Sequence, residues 1–134
     1  RRLRSRQDRF PAMHLLHGTE LNIDPEGGVD WDEGFLAGFD LTVASVHSHF
    51  GQSRDEMTRR VIRAIEHPRV NIIGHLTTRK IGRRDPVDLD LEAVFEAAGR
   101  TGTAVLLTAL VGAIGTGNVQ AGVVTVRLGT SGAV

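Results

Sequence analysis

The sequence predicts an α/β fold with parallel strands, either a sheet or part of a barrel, and three observations carry that expectation. Apolar runs alternate with helical patterns in the order βαβαβαβ. Leu41 to Val46 is apolar enough to be a strand buried on both faces, as parallel strands are. Three runs, His14 to Glu20, Leu41 to His47 and Val70 to His75, each end in a potential metal ligand. Glu20 and His47 are 27 residues apart and His47 and His75 are 28, which is about one βα unit. A barrel would therefore bring all three to one rim, and that pattern points to a metal-dependent hydrolase.

Each element has a local reason. Leu15 to Ile23 is β-prone, and Asp24-Pro25-Glu26-Gly27-Gly28 is a turn by composition. Trp31 to Phe39 reads as a short helix with Asp30 as its N-cap and Phe35, Leu36 and Phe39 on its apolar side. Ser53 followed by Glu56 has the capping-box spacing, and Met57, Val61, Ile62 and Ile65 recur at helical intervals until His67-Pro68 ends the helix. Val70 to Gly74 is the next strand. Asp85-Pro86 opens a turn, Leu89, Leu91, Val94, Phe95 and Ala98 line a helix that should stop at Gly99, and Ala104 to Leu107 is a fourth strand.

Composition bounds the reading. The 134 residues suffice for one domain with a real core but fall short of the roughly 250 of a complete eight-unit barrel. Lys plus Arg and Asp plus Glu balance at 16 each, so whole-chain charge makes no case for nucleic acid. Charge is local instead: Arg1, Arg2, Arg4, Arg6 and Arg9 crowd the start, and Arg79, Lys80, Arg83 and Arg84 follow the third strand. The absence of Cys excludes disulfides and thiolate zinc sites and fits a reducing cytoplasm, the expected location. Any metal must take imidazole and carboxylate. The arginine-rich start lacks the apolar stretch of a signal peptide, so residues 1–14 read as the end of a preceding helix or a linker.

The composition changes near residue 104. Ala104 to Val134 carries one charged side chain, Arg127. Three readings are open: a membrane span, a Gly-rich β tail packed on a partner, or a slipped reading frame in a GC-rich gene. Thr116-Gly117-Asn118 and Gln120 interrupt the apolar run well before the roughly 20 residues of a span. The frame slip is preferred, and no membrane association is expected.

Leu16-His17-Gly18-Thr19-Glu20-Leu21-Asn22-Ile23, Val43-Ala44-Ser45-Val46-His47-Ser48-His49-Phe50 and Ile72-Ile73-Gly74-His75-Leu76-Thr77-Thr78-Arg79 occur in order, followed by Gly82-Arg83-Arg84-Asp85-Pro86 and Asp90-Leu91-Glu92-Ala93-Val94. Together they resemble the polymerase and histidinol phosphatase (PHP) domain, most closely the one at the C-terminus of bacterial family X DNA polymerases. The likeness covers residues 15–105 and leaves 106–134 as an atypical Gly/Ala/Val-rich tail.

The resemblance implies a partial, distorted seven-unit TIM-like (βα) barrel whose C-terminal rim holds two or three Mn or Zn ions. Matched residue by residue, Glu20 falls on a carboxylate that bridges two metals, and His47 and His75 on histidine ligands; these are suitable donors for either ion. His49 lies beside the site as a supporting residue, and Arg79, Arg83 and Arg84 are candidates for a substrate phosphate. The implied chemistry is metal-assisted phosphoester hydrolysis: 3′–5′ exonuclease or end processing on DNA, with a DNA-repair role in the parent, or phosphatase action on a small phosphate ester, as in histidinol phosphatases. The family's opening His-x-His pair would precede residue 1. After Thr101-Gly102-Thr103-Ala104 the family's Glu-Ile-Asn element is replaced by Val105-Leu106-Leu107-Thr108, and no later Asp-x-His pair follows. With most ligands lacking, the chain alone is expected to be inactive.

Plainer readings stand beside these. A lone Glu or His after a strand is ordinarily a capping or surface group, and His14, His17 and His67 read that way. A second hypothesis is a non-catalytic half-barrel that binds or dimerises, its open sheet edge covered by the tail.

Overall fold

Residues 4–106 are described by a computed structural model of the chain, and within them the predicted order βαβαβαβ is observed. The elements are β1 (Gly18–Asn22), α1 (Glu33–Leu36), β2 (Leu41–Ser45), α2 (Arg54–Ile65), β3 (Ile72–Ile73), α3 (Leu91–Thr101) and β4 (Ala104–Val105), after a 3-10 turn at Arg4–Arg9. The four strands form one parallel sheet in the order β1-β2-β3-β4. Parallel neighbours need a crossover, and each connection here carries a helix. This arrangement is consistent with part of an α/β barrel.

Register decides what each face of the sheet carries. Glu20 pairs with Val43, Leu21 with Ala44, Asn22 with Ser45, Val43 with Ile72 and Ala44 with Ile73. Because side chains alternate along a strand, Leu21, Ala44 and Ile73 share one face while Glu20, Asn22, Val43, Ser45 and Gly74 share the other. The first face meets Met57, Val61 and Ile65 of α2 and Val94 and Ala97 of α3 in the buried core. The second leads to the candidate site. β3 is shorter than the expected Val70–Gly74, although Leu106 extends its pairing by donating to Ile73 O at 2.8 Å. Leu107 and the tail to residue 134 lie outside the described residues, as do Arg1 and Arg2. Among the described residues no helix is long and apolar enough to cross a membrane.

Helix ends follow the capping chemistry, with two corrections. Ser53 and Glu56 form the expected reciprocal capping box on α2. In α1 the N-cap is Asp32, which accepts from Phe35 N–H at 3.0 Å; Asp30 does not cap, because its carboxylate is taken by Asn22. Trp31 has φ 76°, so the helix cannot begin there, and it closes at Leu36, well before Phe39. In α3 Gly99 sits within the helix, and the stop is Gly102, whose φ of 76° is the left-handed conformation favoured after a helix C-terminus. Its buried residues are Val94, Ala97 and Ala98; Leu91 and Phe95 are exposed, and Leu89 is buried just before the helix.

One buried cation ties the rim together. Arg60 of α2 is 1% exposed and donates to Ser48 O, Gln52 Oε1 and Ile23 O, joining the segments that leave β1 and β2. Burial pushes its guanidinium below the usual arginine range, opposed by the charges of Asp24 and Glu26.

Candidate metal centre

Glu20, in the middle of β1, meets His47 and His75, which lie two residues beyond the ends of β2 and β3. His47 Nε2 and His75 Nε2 each lie 3.3 Å from Glu20 Oε1, and one ligand atom from each of the three falls within 4.8 Å of the others. Ligands about 2.0–2.1 Å from one tetrahedral ion are separated by roughly 3.3–3.4 Å, so the two N···O distances suit a shared cation. The side chains are 29%, 41% and 31% exposed for Glu20, His47 and His75, so each is partly open to solvent.

Neighbouring groups orient these donors. Ser45, fully buried, donates from Oγ to Glu20 Oε1 at 2.8 Å. Asn22 Nδ2 donates to Asp30 Oδ2 at 2.8 Å, while its Oδ1 faces His47 Nδ1 at 2.6 Å. A carboxylate only accepts, so Asn22 must turn its amide nitrogen to Asp30 and its oxygen to His47. His47 therefore carries its proton on Nδ1 and, when neutral, aims the Nε2 lone pair at the Glu20 oxygen. Two lone pairs at 3.3 Å repel unless a proton or a metal cation lies between them. The donor set is thus suited to a divalent ion, with an outer hydrogen bond that fixes the tautomer of the candidate ligand His47.

His75 is placed by its backbone. It has φ 30°, in the sparsely populated positive region, and its carbonyl accepts from Thr78 N–H at 2.7 Å. The preceding Gly74 leaves no room for a side chain: a Cβ there would lie 2.4 Å from Ser45 Oγ and 2.9 Å from Val43 Cγ1.

The other predicted residues are dispersed around this centre. His49, exposed and at φ 54°, bonds through Nδ1 to Ser48 Oγ at 3.0 Å. Arg79 and Arg83 are exposed on the loop after β3. Arg84 is largely engaged: Nε and Nη2 donate to Thr78 O at 3.0 and 2.6 Å, and its guanidinium lies 3.7 Å over the Phe50 ring. Asn22, Asp30 and Ser45 were missed by sequence reasoning. Period two would have found two of them, since Asn22 is two residues beyond Glu20 and Ser45 two before His47.

No known family profile matches the chain. It is 38% identical over 100 residues to the DNA polymerase/3′-5′ exonuclease PolX of Bacillus subtilis, a match covering 75% of this chain and 18% of the relative. It is also 35% identical over 103 residues to a protein named "Probable phosphatase" of Syntrophotalea carbinolica, covering 75% and 40%. A "Probable phosphatase" of Thermoanaerobacter sp. is 34% identical over 100 residues, covering 71% and 38%. The chain spans less than half the length of each of these curated relatives. The names and identities of these relatives, together with the imidazole–carboxylate centre, support a PHP-like relationship.

Proposed function

We propose that residues 15–105 are part of a PHP-type metal-dependent phosphoesterase, arranged as a segment of a distorted seven-unit TIM-like barrel. Glu20, His47 and His75 hold Mn or Zn, and the parent protein processes DNA 3′ ends as a 3′–5′ exonuclease in cytoplasmic DNA repair. The observation that carries this reading is the convergence of two Nε2 atoms, from just beyond β2 and β3, on one oxygen of Glu20 in the neighbouring parallel strand β1. The identity to PolX supports DNA as the substrate of the parent. The identity to proteins named as phosphatases keeps a small phosphate ester as the second reading.

The chemistry assigned to each residue follows from its surroundings. Glu20, steadied by Ser45, supplies the negative charge of the centre, and His47, steadied by Asn22, supplies a neutral nitrogen. A bound divalent ion supplies Lewis-acid polarisation of a phosphoryl oxygen. Arg79 and Arg83 draw the substrate phosphate to the rim, and Arg84 fixes their loop against Phe50. His49 supports the site from the loop after β2.

Titration of the chain with Mn or Zn by calorimetry tests this reading. Saturable binding that is lost in Glu20→Ala is expected. Absence of binding, or binding indifferent to that substitution, would overturn the assigned ligands.

A further inference from the structure

The rim is chemically divided. On the β3 side, Arg79, Lys80 and Arg83 are exposed cations with no ion pair among the described residues, and Arg84 pins their loop to Phe50, three residues beyond His47. On the β1 side the loop is acidic, and two aromatic side chains, one on the loop and one on α1, are exposed beside its carboxylates. Trp31 is 59% exposed and Phe35 49%, with ring centroids 4.9 Å apart. Trp31 follows Asp30, whose carboxylate holds Asn22 and, through it, His47. Trp31 therefore follows the residue that steers His47, and the ring stack runs from it through Phe35 and Phe39 to His17, just before β1.

Trp31 holds this position at φ 76°, a conformation that a bulky residue rarely adopts, and its ring is not tucked into the core. Phe35 is backed in turn by Phe39, 5.4 Å away, which stacks on His17 at 4.7 Å. Both outer rings are thus exposed while each packs against a neighbouring ring.

We propose that Trp31 and Phe35 form a stacking platform for the terminal base of a single-stranded nucleic acid. On this assignment, which rests on the metal-centre reading above, the phosphodiester backbone approaches over Arg79, Lys80 and Arg83. Asp24, Asp30, Asp32 and Glu33 repel phosphate on the β1 side, so that flank accepts the uncharged base and not the backbone. Base stacking on aromatic rings tolerates any sequence. A small phosphate ester without a base would gain nothing from the platform, so the platform selects a nucleic acid end over such esters.

Trp31 is the only tryptophan and the chain has no tyrosine, so its fluorescence reports on this position alone. The full chain is titrated with a short single-stranded oligothymidylate in the presence of EDTA, so that the result is independent of the metal centre. Saturable quenching of Trp31 is expected. By anisotropy of a labelled oligothymidylate, Trp31→Ala should weaken binding about fivefold to 100-fold, while Trp31→Phe keeps most of it. Binding with unchanged Trp31 emission, equal affinity in Trp31→Ala, or no binding of the oligonucleotide would each overturn the platform. Mn binding measured separately distinguishes the two readings: if Mn binds and the oligonucleotide does not, the platform fails alone. If quenching is intact and Mn does not bind, the metal ligands fail alone.

Discussion

His47 and His75 present Nε2 to the same oxygen at the same 3.3 Å, yet the chain holds them by different means. His47 is steered through its side chain, by the Asn22–Asp30 relay at its Nδ1. His75 is steered through its backbone, by a positive φ and by a glycine that lets β3 approach Ser45. A histidine held through its side chain can be loosened while the fold stays intact. A histidine held by backbone geometry shares its fate with the sheet.

The comparison can be broken most severely at the shared acceptor. Glu20→Ala removes the carboxylate both histidines face and should lower metal affinity by about 100-fold or more in calorimetry, since it removes a ligand where losing an outer partner alone costs 10–100-fold. Gly74→Ala strikes the backbone-held side. Its Cβ would displace Ser45 Oγ and crowd Val43, and an unfolding titration should show a loss of about 1–3 kcal/mol, as overpacking does. Metal affinity should fall with it, because Ser45 must release Glu20.

Asn22→Ala strikes the other side and should separate the two effects. Metal affinity is expected to fall about 10–100-fold. Because Asn22 is exposed, its melting curve should move less than that of Gly74→Ala, and equal shifts would erase the distinction between the two histidines. The smallest effect lies away from the centre. Ser53→Ala opens the α2 capping box at a cost of about 1 kcal/mol in denaturant titration.

That last substitution also carries a pH signature. The Ser53 side-chain hydrogen bond, followed by its backbone N–H and the Arg59 charge, holds the Glu56 carboxyl below its ordinary value of 4.5. The folded state therefore binds its proton less readily than the unfolded chain. Its stabilising contribution is complete above about pH 4.5 and is lost as pH falls through the lowered folded value. Stability of Ser53→Ala should be flatter than that of the parent chain over this acid range.

Much of the fold was legible because its signals are local. The Ser53-Glu56 spacing, the Met57, Val61, Ile65 stripe and the apolar Leu41–Val46 run each specify an element without reference to distant residues. The errors arose where a distant partner intervened. Asp30 looked like a helix cap, but Asn22 of β1 claims its carboxylate and shifts the start of α1 to Asp32. Gly99 looked like a helix stop, but a glycine ends a helix only where the chain turns left-handed, and that occurs at Gly102.

The sequence by itself determined the order of strands and helices and the identity of Glu20, His47 and His75 as candidate ligands, because hydrophobic period and the spacing of one βα unit are written along the chain. Only the tertiary structure decided which neighbours aim those ligands. Asn22, Ser45 and Gly74 are brought together by the register of three strands, and register depends on how strands distant in sequence pair, which no local pattern contains.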